Sequence, residues 1–349
     1  MDDSLGIAAL EQLIRASATR IAPEQEDALR DLCAKEELSL EFEPDAHDLF
    51  VGVYLDSNKI VLRTRCLARL WAHVYAYCSV FKSCVQESNV CEFHAVSSGF
   101  LPAANLLVWA LNDQIAANLG RPRVAPSPSA PRPDHQSGTN LERLVNEVFL
   151  CACAYLLQHE IAHVRLDHKR VSAGGQQDEF DADEGAADWI LTGAATDGER
   201  TKRWLGIACA LLWLYSLSVH RLLSPLSDSH PPAPLRLQAV TFPRLLDKHD
   251  PIWTFLVTAM TYHLQAVKFV YRPAQFLSPR AAVVQFVQDG LRAARGDPQL
   301  LAETPATPQV KRGGAKIKRN QRCPCGSDKK FKRCCGSKGG ATRDLLAWA

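Results

Sequence analysis

The sequence has no apolar stretch long enough to cross a membrane as a helix. Its longest uncharged apolar run, from Trp204 to Val219, has about sixteen residues, whereas a helix needs about 20 to span the hydrocarbon core. We therefore expect this run to form a buried helix of the core. Peripheral contact with a membrane is the alternative that the run leaves open.

The N-terminus also lacks the features of an export signal. The opening residues, MDDSLGIAALEQLI, are acidic and contain no basic cluster ahead of an apolar segment. We therefore expect no secretion by an ordinary signal peptide and predict a cytoplasmic location. The twelve cysteines would then be reduced, so they are buried or bind metal. Cys151 and Cys153, two apart on a predicted helix, face different directions and are expected to pack in the core.

The low hydrophobicity and high net charge of a disordered chain are absent as well. The chain has 349 residues, 47% of them hydrophobic, and a net charge of +2, which allows one large domain with an appendage. The charge is uneven, because residues 311–343 contain twelve Lys and Arg residues against one acid, Asp328. This block carries +11 and leaves −9 on the rest. It predicts a separate module that meets an anionic partner, or else a solvated tail.

Apolar patterning predicts a mostly α-helical protein of the α+β class with a small β-sheet. An N-terminal segment, residues 1–44, is expected to be helical, and short apolar runs at 49–55 and 59–63 predict a β-hairpin. The five prolines within 121–138 predict a loop. Helices are predicted over residues 66–82, 106–120, 204–219, 251–270 and 280–294.

One further predicted helix carries the segment QHEIAHVRLDH, residues 158–168. It begins at Thr139, which forms a capping box with Glu142, and the apolar positions that follow predict burial over much of its circumference. His159 and His163 are four residues apart, so they can present two imidazoles to one zinc ion. The alternative is a buried helix that carries histidines by chance.

A catalytic zinc site also needs a third protein ligand. The acidic segment 178–190 predicts a helix on which Glu179 and Asp183 share a face with small alanines. We expect Glu179 to be the third ligand and Asp183 to fix the tautomer of a ligand histidine. The alternative is an acidic helix N-terminus stabilised by the helix dipole. His168 falls off the required face and is expected to be a bystander.

The same residues suggest a mechanism of peptide hydrolysis. Zinc would lower the pKa of a bound water and polarise a carbonyl group. Glu160 would take the proton of the water and deliver it to the leaving amine. The segment SHPPAPLR, residues 229–236, offers His230 and Arg236 to stabilise the developing oxyanion.

The motifs HEIAH, EFDAD and SHPPAPLR together resemble a gluzincin pattern, and within it most resemble the Lit-type phage-exclusion peptidases. The resemblance covers about residues 45–290 and implies a zincin-like metallopeptidase domain, which we place at 45–295. It also implies an intracellular endopeptidase that cleaves elongation factor Tu during phage infection and so stops translation.

A basic linker, residues 296–321, leads to a last module at 322–337 that carries a CxC pair and a CC pair separated by eight residues. Four thiolates fill a tetrahedral site, so this zinc would be structural and would fold the segment. The expected ligands are Cys323, Cys325, Cys334 and Cys335. The segment resembles the SEC-C motif known from the SecA translocation ATPase, a zinc-binding interaction element. A protein, ribosomal RNA or an anionic lipid surface would meet its basic and apolar side chains, namely Lys329, Lys330, Phe331, Lys332 and Arg333.

These observations predict a zinc endopeptidase with one catalytic and one structural zinc ion, acting on a protein of the translation machinery. A regulatory metallopeptidase that acts on a repressor or another partner is a second interpretation. A non-catalytic adaptor that acts through its SEC-C module is a third. Glu160 argues against the adaptor, because a structural zinc site has no need of a base.

Overall fold

The computed structural model of the chain describes residues 5–43, 52–86, 101–122, 124–133, 139–166, 175–219, 230–245, 247–266 and 278–294, together with Asn320 and Lys330. These residues form a mostly helical structure with one small sheet. The α+β class predicted from the sequence is therefore confirmed.

Short helices begin the described part of the chain. Two are 3₁₀ helices, Ile7–Leu10 and Pro23–Gln25, and three are α-helices, α1 (Glu11–Arg15), α2 (Ser17–Ile21) and α3 (Glu26–Lys35). The apolar side chains of Leu10 and Ile14 are fully buried and belong to the same hydrophobic core as the longer helices that follow. The N-terminal segment thus packs against the rest of the described structure.

The sheet has three strands, β1 (Ser39–Glu43), β2 (Gly52–Tyr54) and β3 (Lys59–Arg63). Their order is β1-β3-β2, with β1 parallel and β2 antiparallel to β3. The predicted hairpin is therefore present as β2 and β3. β1 lies within the segment for which we expected helices, because the alternation of SLEFE turns Leu40 and Phe42 to one side and suits a strand. In the described part of the chain, β2 has only β3 beside it.

Long helices account for most of the remaining described residues. All the helices predicted from apolar periodicity are present, and most begin or end a few residues away from the predicted bounds. They are α4 (Thr64–Gln86), α5 (Leu101–Asn118), α6 (Asn140–Arg165), α7 (Gln176–Leu191), α8 (Asp197–Val219), α9 (Ala233–Thr241), α10 (Pro251–Ala266) and α11 (Pro279–Ala294).

Helix α6 occupies the centre of the core. The predicted capping box is formed: the Glu142 N–H donates to Thr139 Oγ1 at 3.3 Å, and the Thr139 N–H donates to Glu142 Oε2 at 2.7 Å. From Val145 to Val164 nearly every side chain is buried. The neighbours α2, α4, α7 and α8 surround this helix, so its burial over much of its circumference is confirmed.

Helix α8 contains the longest apolar run. Trp204 and Trp213 on this helix are almost completely buried, which confirms the prediction of a core helix. No helix in the described ranges combines the length and apolarity needed to cross a bilayer.

A buried ion cluster attaches the proline-rich segment to the helices. Asp113 on α5 is fully buried and accepts hydrogen bonds from Arg65 Nε at 2.9 Å and Arg69 Nε at 2.7 Å. Burial alone would raise the pKa of Asp113, but the two guanidinium groups outweigh it and hold that pKa below its usual range. The carbonyl of Val124 accepts from Arg65 and from Trp109. Residues 121–122 and 124–133 contain neither helix nor strand, as predicted for these positions.

The contact between α6 and α8 generates a prediction about stability. A Cβ atom at Gly206 would lie 2.7 Å from the carbonyl carbon of Cys151 and 2.8 Å from the nitrogen of Ala152, and main-chain atoms cannot rotate away. We expect Gly206→Ala to lower the free energy of unfolding by about 1–3 kcal/mol, as overpacking does, despite the better helix propensity of alanine. Chemical denaturation measures the change.

Gly290, in the middle of α11, provides the control. A Cβ atom there would first meet the ring of Pro234, at 3.1 Å, which is a wider separation than the main-chain contacts at Gly206. Gly290→Ala should therefore cost clearly less than Gly206→Ala. Equal unfolding free energies for the two variants would contradict the close packing of α6 on α8.

Candidate metal centre and active site

Two neighbouring helices bring the predicted ligands together. His159 and His163 lie one turn apart on α6, and Glu179 and Asp183 lie one turn apart on α7. All four are buried, with Asp183 completely inaccessible to solvent. Small, fully buried side chains on the same face of α7 allow the helices to approach closely; they are Ala182, Ala186 and Ala187. This is the face that helical periodicity predicts.

The three candidate ligand side chains form a nearly regular triangle. The Nε2 atoms of His159 and His163 are 3.2 Å apart. Glu179 places Oε2 3.5 Å from His159 Nε2 and Oε1 3.5 Å from His163 Nε2. Donor atoms that share one tetrahedral zinc ion at its usual bond lengths lie about 3.4 Å from one another. Within the described residues, this is the group of His, Cys, Asp and Glu side chains close enough to hold a metal ion, and its donor set fits zinc.

Asp183 fixes the orientation of the first histidine. Its Oδ1 lies 3.0 Å from His159 Nδ1 and accepts a hydrogen bond from the hydroxyl of Tyr155 at 2.8 Å. Arg236 donates to the same carboxylate through Nε at 2.6 Å and through one terminal nitrogen at 2.8 Å. With Nδ1 facing Asp183, the imidazole presents Nε2 to the other ligands, as a zinc-binding histidine requires.

The charges in this site shift each other's pKa values. Burial would raise the pKa of Glu179, but His159 and Arg236 outweigh it and lower that pKa to about 2. Asp183 is shifted in the same direction, and Arg236 is the strongest cause that opposes burial. Burial would lower the pKa of His159, yet Asp183 and Glu179 raise it to about 9. The raised pKa of His159 means that protons compete with a metal ion for this side chain.

Glu160 is next to the first histidine but lies outside the ligand triangle. Its Oε2 accepts a hydrogen bond from the main-chain N–H of Val53 on β2 at 3.0 Å. Burial raises the pKa of Glu160 to about 7, and the nearby Glu179 contributes to the increase. A carboxylate with this pKa suits a general base near neutral pH.

The two residues predicted to stabilise an oxyanion also lie beside the triangle. His230 Nε2 is 3.5 Å from Glu179 Oε1, and about half of the His230 side chain (54%) is exposed. Arg236 is buried and places its terminal nitrogens 3.1 Å from Glu179 Oε2 and 3.4 Å from His159 Nε2. The site therefore has one positive group within the protein and one imidazole at its opening.

Sequence reasoning missed two contributors to this site. Tyr155 lies one turn before His159 on the same face of α6, so helical spacing could have identified it. Val53 lies 107 positions before Glu160 in the chain and acts through its main chain, so no local pattern could have indicated it.

Several predicted residues fall outside the part of the chain that the structure describes. These are His168, the four cysteines Cys323, Cys325, Cys334 and Cys335, and the partner-binding residues Lys329, Phe331, Lys332 and Arg333. Lys330 is described and exposed. Cys151 and Cys153 are buried and reduced in the core, as predicted, and burial raises the pKa of Cys151 to about 12.

A buried His-His-Glu triangle with an adjacent carboxylate, set in a mostly helical α+β domain, is typical of a peptidase. Comparison with known families agrees, since the family profile described as Peptidase U49 matches residues 60–256. The chain belongs to this peptidase family. The cell death peptidase of Escherichia coli (strain K12) is 32% identical over 229 residues, which cover 63% of this chain and 75% of the relative. The resemblance to the Lit-type peptidases is thereby confirmed.

The C-terminal module is confirmed in the same way. The SEC-C motif profile matches residues 319–337. The protein translocase subunit SecA of Francisella tularensis subsp. novicida (strain U112) is 55% identical over 42 residues, and that of subsp. holarctica (strain OSU18) is 52% identical over the same length. These matches cover 12% of this chain and 5% of each SecA subunit, so they concern the motif alone. No solved structure matches the chain significantly.

Metal content follows directly from the two predicted sites. We expect two zinc ions per chain in the purified protein, one in His159→Ala and one in Cys323→Ser, because each change removes one ligand of one site. Inductively coupled plasma mass spectrometry measures the stoichiometry. His249→Ala is the control, since this histidine is exposed in a turn and is not one of the predicted ligands, and the variant should keep two ions. A single zinc ion in the unaltered protein would rule out the two-site arrangement.

Proposed function

We propose that the chain is a zinc-dependent endopeptidase of the cytoplasm. His159, His163 and Glu179 hold the catalytic zinc ion, and Glu160 is the general base. The observation that carries this proposal is the triangle of candidate ligand side chains: the two Nε2 atoms are 3.2 Å apart, and each lies 3.5 Å from one oxygen of Glu179. A non-ligand carboxylate lies next to it. A purely structural metal site would not need that carboxylate.

Each protein group has a distinct task in the proposed reaction. Zinc, when bound, supplies Lewis acidity, which polarises the scissile carbonyl and makes water a stronger acid. Glu160 accepts a proton as the water oxygen bonds to the carbonyl carbon, and it then donates that proton to the amine nitrogen as the C–N bond breaks. Asp183 keeps the His159 ring in its binding orientation throughout.

His230 and Arg236 are proposed to stabilise the oxyanion, and the geometry gives them different parts. Arg236 is held by Asp183 and Glu179, so its charge acts from a fixed position. His230 is half exposed at the opening of the site, which gives its side chain room to approach a bound peptide. We therefore assign the direct hydrogen bond to His230 and long-range charge stabilisation to Arg236.

The proposed substrate is a protein of the translation machinery, of the elongation factor Tu class, cleaved in defence against phage. This finer assignment is supported by the resemblance to the Lit-type peptidases and by the similarity to the E. coli cell death peptidase. The SEC-C module is proposed to bind a structural zinc ion and to dock the enzyme to a protein, to the ribosome or to an anionic surface. Cleavage of a repressor by the same site is the alternative within the peptidase class.

Glu160→Gln tests the proposed function. The change keeps the size and the polarity of the side chain but removes the base, so zinc should be retained and turnover lost. New protein N-termini are compared by mass spectrometry between cells expressing the wild type and cells expressing the variant, with and without phage challenge. We expect a cleaved protein of the translation machinery in the wild-type cells only.

Glu184→Gln is the matched control, because this glutamate lies on α7 but is exposed. It should cleave as the wild type does. Intact elongation factor Tu in all challenged cells would reject the Lit-like substrate, whereas identical N-termini in wild-type and Glu160→Gln cells would reject the peptidase mechanism.

His230→Ala tests the assignment of the oxyanion donor. Loss of one such hydrogen bond lowers kcat by roughly 10²- to 10³-fold in other hydrolases, and we expect a fall of that order without loss of zinc. Cleavage of the substrate found in cells is followed with purified protein, and His249→Ala is the control. Unchanged kcat/KM in His230→Ala would remove this residue from the mechanism.

A further inference from the structure

Strand β2 meets the active-site helix through its main chain. The N–H of Val53 donates to Glu160 Oε2 at 3.0 Å, although the two residues belong to different elements of the fold. This hydrogen bond joins a peptide group of the sheet to the carboxyl group of the proposed base.

The pairing of the strands shows why this peptide group is available. Val53 lies opposite Ile60, and the flanking residues Gly52 and Tyr54 lie opposite Val61 and Lys59. Successive residues of a strand direct their main-chain groups alternately to the two sides. Because the Val53 N–H points to Glu160, it faces away from β3, and the neighbouring residues carry the hydrogen bonds of the ladder. The bond to Glu160 therefore removes no hydrogen bond from the pairing of β2 with β3.

A glutamate side chain in isolation has three rotatable torsions and no fixed carboxylate orientation. Here Oε2 is bound by a donor whose position is set by the backbone of a sheet, while the Cα atom of Glu160 is set by α6. One carboxylate oxygen is thus occupied, and the other remains to accept the proton of a water. Misplacement of a reacting group by about 1 Å can reduce a rate 100-fold.

We propose that the main-chain N–H of Val53 is a positioning group for Glu160, so that the edge of β2 that faces away from β3 sets the orientation of the base. This inference rests on the proposed function of Glu160 as the base. Val53 touches no reacting atom and is not a catalytic residue. Its side chain plays no part in the role, so every residue except proline can fill it.

Three changes at this position separate the N–H from the side chain. Val53→Pro removes the N–H and is compatible with an edge strand whose N–H faces away from its partner. Replacement of Val53 by its α-hydroxy acid analogue, through suppression of a stop codon, converts the amide into an ester; it removes the donor, keeps the side chain and weakens the Gly52 carbonyl as an acceptor. Val53→Ala keeps the donor and is the control. All three proteins should bind zinc at the triangle as the wild type does.

The first measurement is the rate of cleavage of a protein substrate. This substrate is the protein that the wild type cleaves and Glu160→Gln does not. We expect the ester and Val53→Pro to lower kcat roughly 10- to 100-fold with KM changed less than about twofold, because positioning acts on the reacting step. Val53→Ala should keep kcat within about twofold. Equal kcat values for the ester and the wild type would overturn the proposal.

Thermal unfolding provides a measurement that does not depend on activity. The ester should lower the midpoint more in the wild-type background than in Glu160→Ala, which has no acceptor, because the weaker Gly52 carbonyl affects both backgrounds alike. Equal shifts in the two backgrounds would show that the N–H serves the sheet and would overturn the inference. If the wild type shows no cleavage that depends on Glu160, the proposed function is wrong. If the wild type is active and the ester is equally active, only the positioning role of Val53 is wrong.

Discussion

The buried carboxylate of Asp183 is the interaction on which the site depends. An ionised group without solvent is costly unless it is compensated, and here Tyr155, His159 and Arg236 all face the same two oxygens. These partners come from α6 and α9, whereas Asp183 itself belongs to α7. Three helices are therefore joined at one carboxylate, and the ligand triangle is built on two of them.

The charges around this point also favour the cation that we propose for the site. Glu179 and Asp183 are held ionised by pKa values far below neutrality, and Arg236 balances only one of them. In the absence of metal, the raised pKa of His159 lets a proton supply the missing charge. A divalent ion can replace that proton and provides more charge at the same place. A bound divalent ion would thus offset the unfavourable free energy of burying two carboxylates, and this gain would add to its binding free energy.

Helical periodicity made the core of the site predictable. His159, His163, Glu179 and Asp183 are linked by spacings of four within their own helices, and the alanines on α7 indicated where that helix packs. The pairing of α6 with α7 was then the only long-range assumption, and a chemical need for a third ligand supplied it. The capping box at Thr139 was predictable for the same reason, because its geometry is local.

Contacts between distant segments were not predictable where no chemical role called for them. β1 pairs with β3 although β2 lies between them in the sequence. Its segment SLEFE is short enough to be interpreted as the end of a helical segment. The donor to Glu160 is a peptide group, and every residue other than proline has one, so the identity of Val53 carries no signal. The Val53 N–H points to Glu160 because successive main-chain groups of β2 face alternately towards β3 and away from it. This arrangement exists only once the sheet has formed.

Burial links these features to catalysis. α6 runs through the core, so its two histidines lie where water is scarce and the effective dielectric constant is low, with Glu160 partly buried beside them. Electrostatic interactions with a developing charge are stronger there than in solvent, but each side chain must be oriented beforehand because little water is present to compensate. Asp183 provides that orientation for His159. The main chain of β2, bonded to Glu160 Oε2, meets the same requirement on the opposite side of the site.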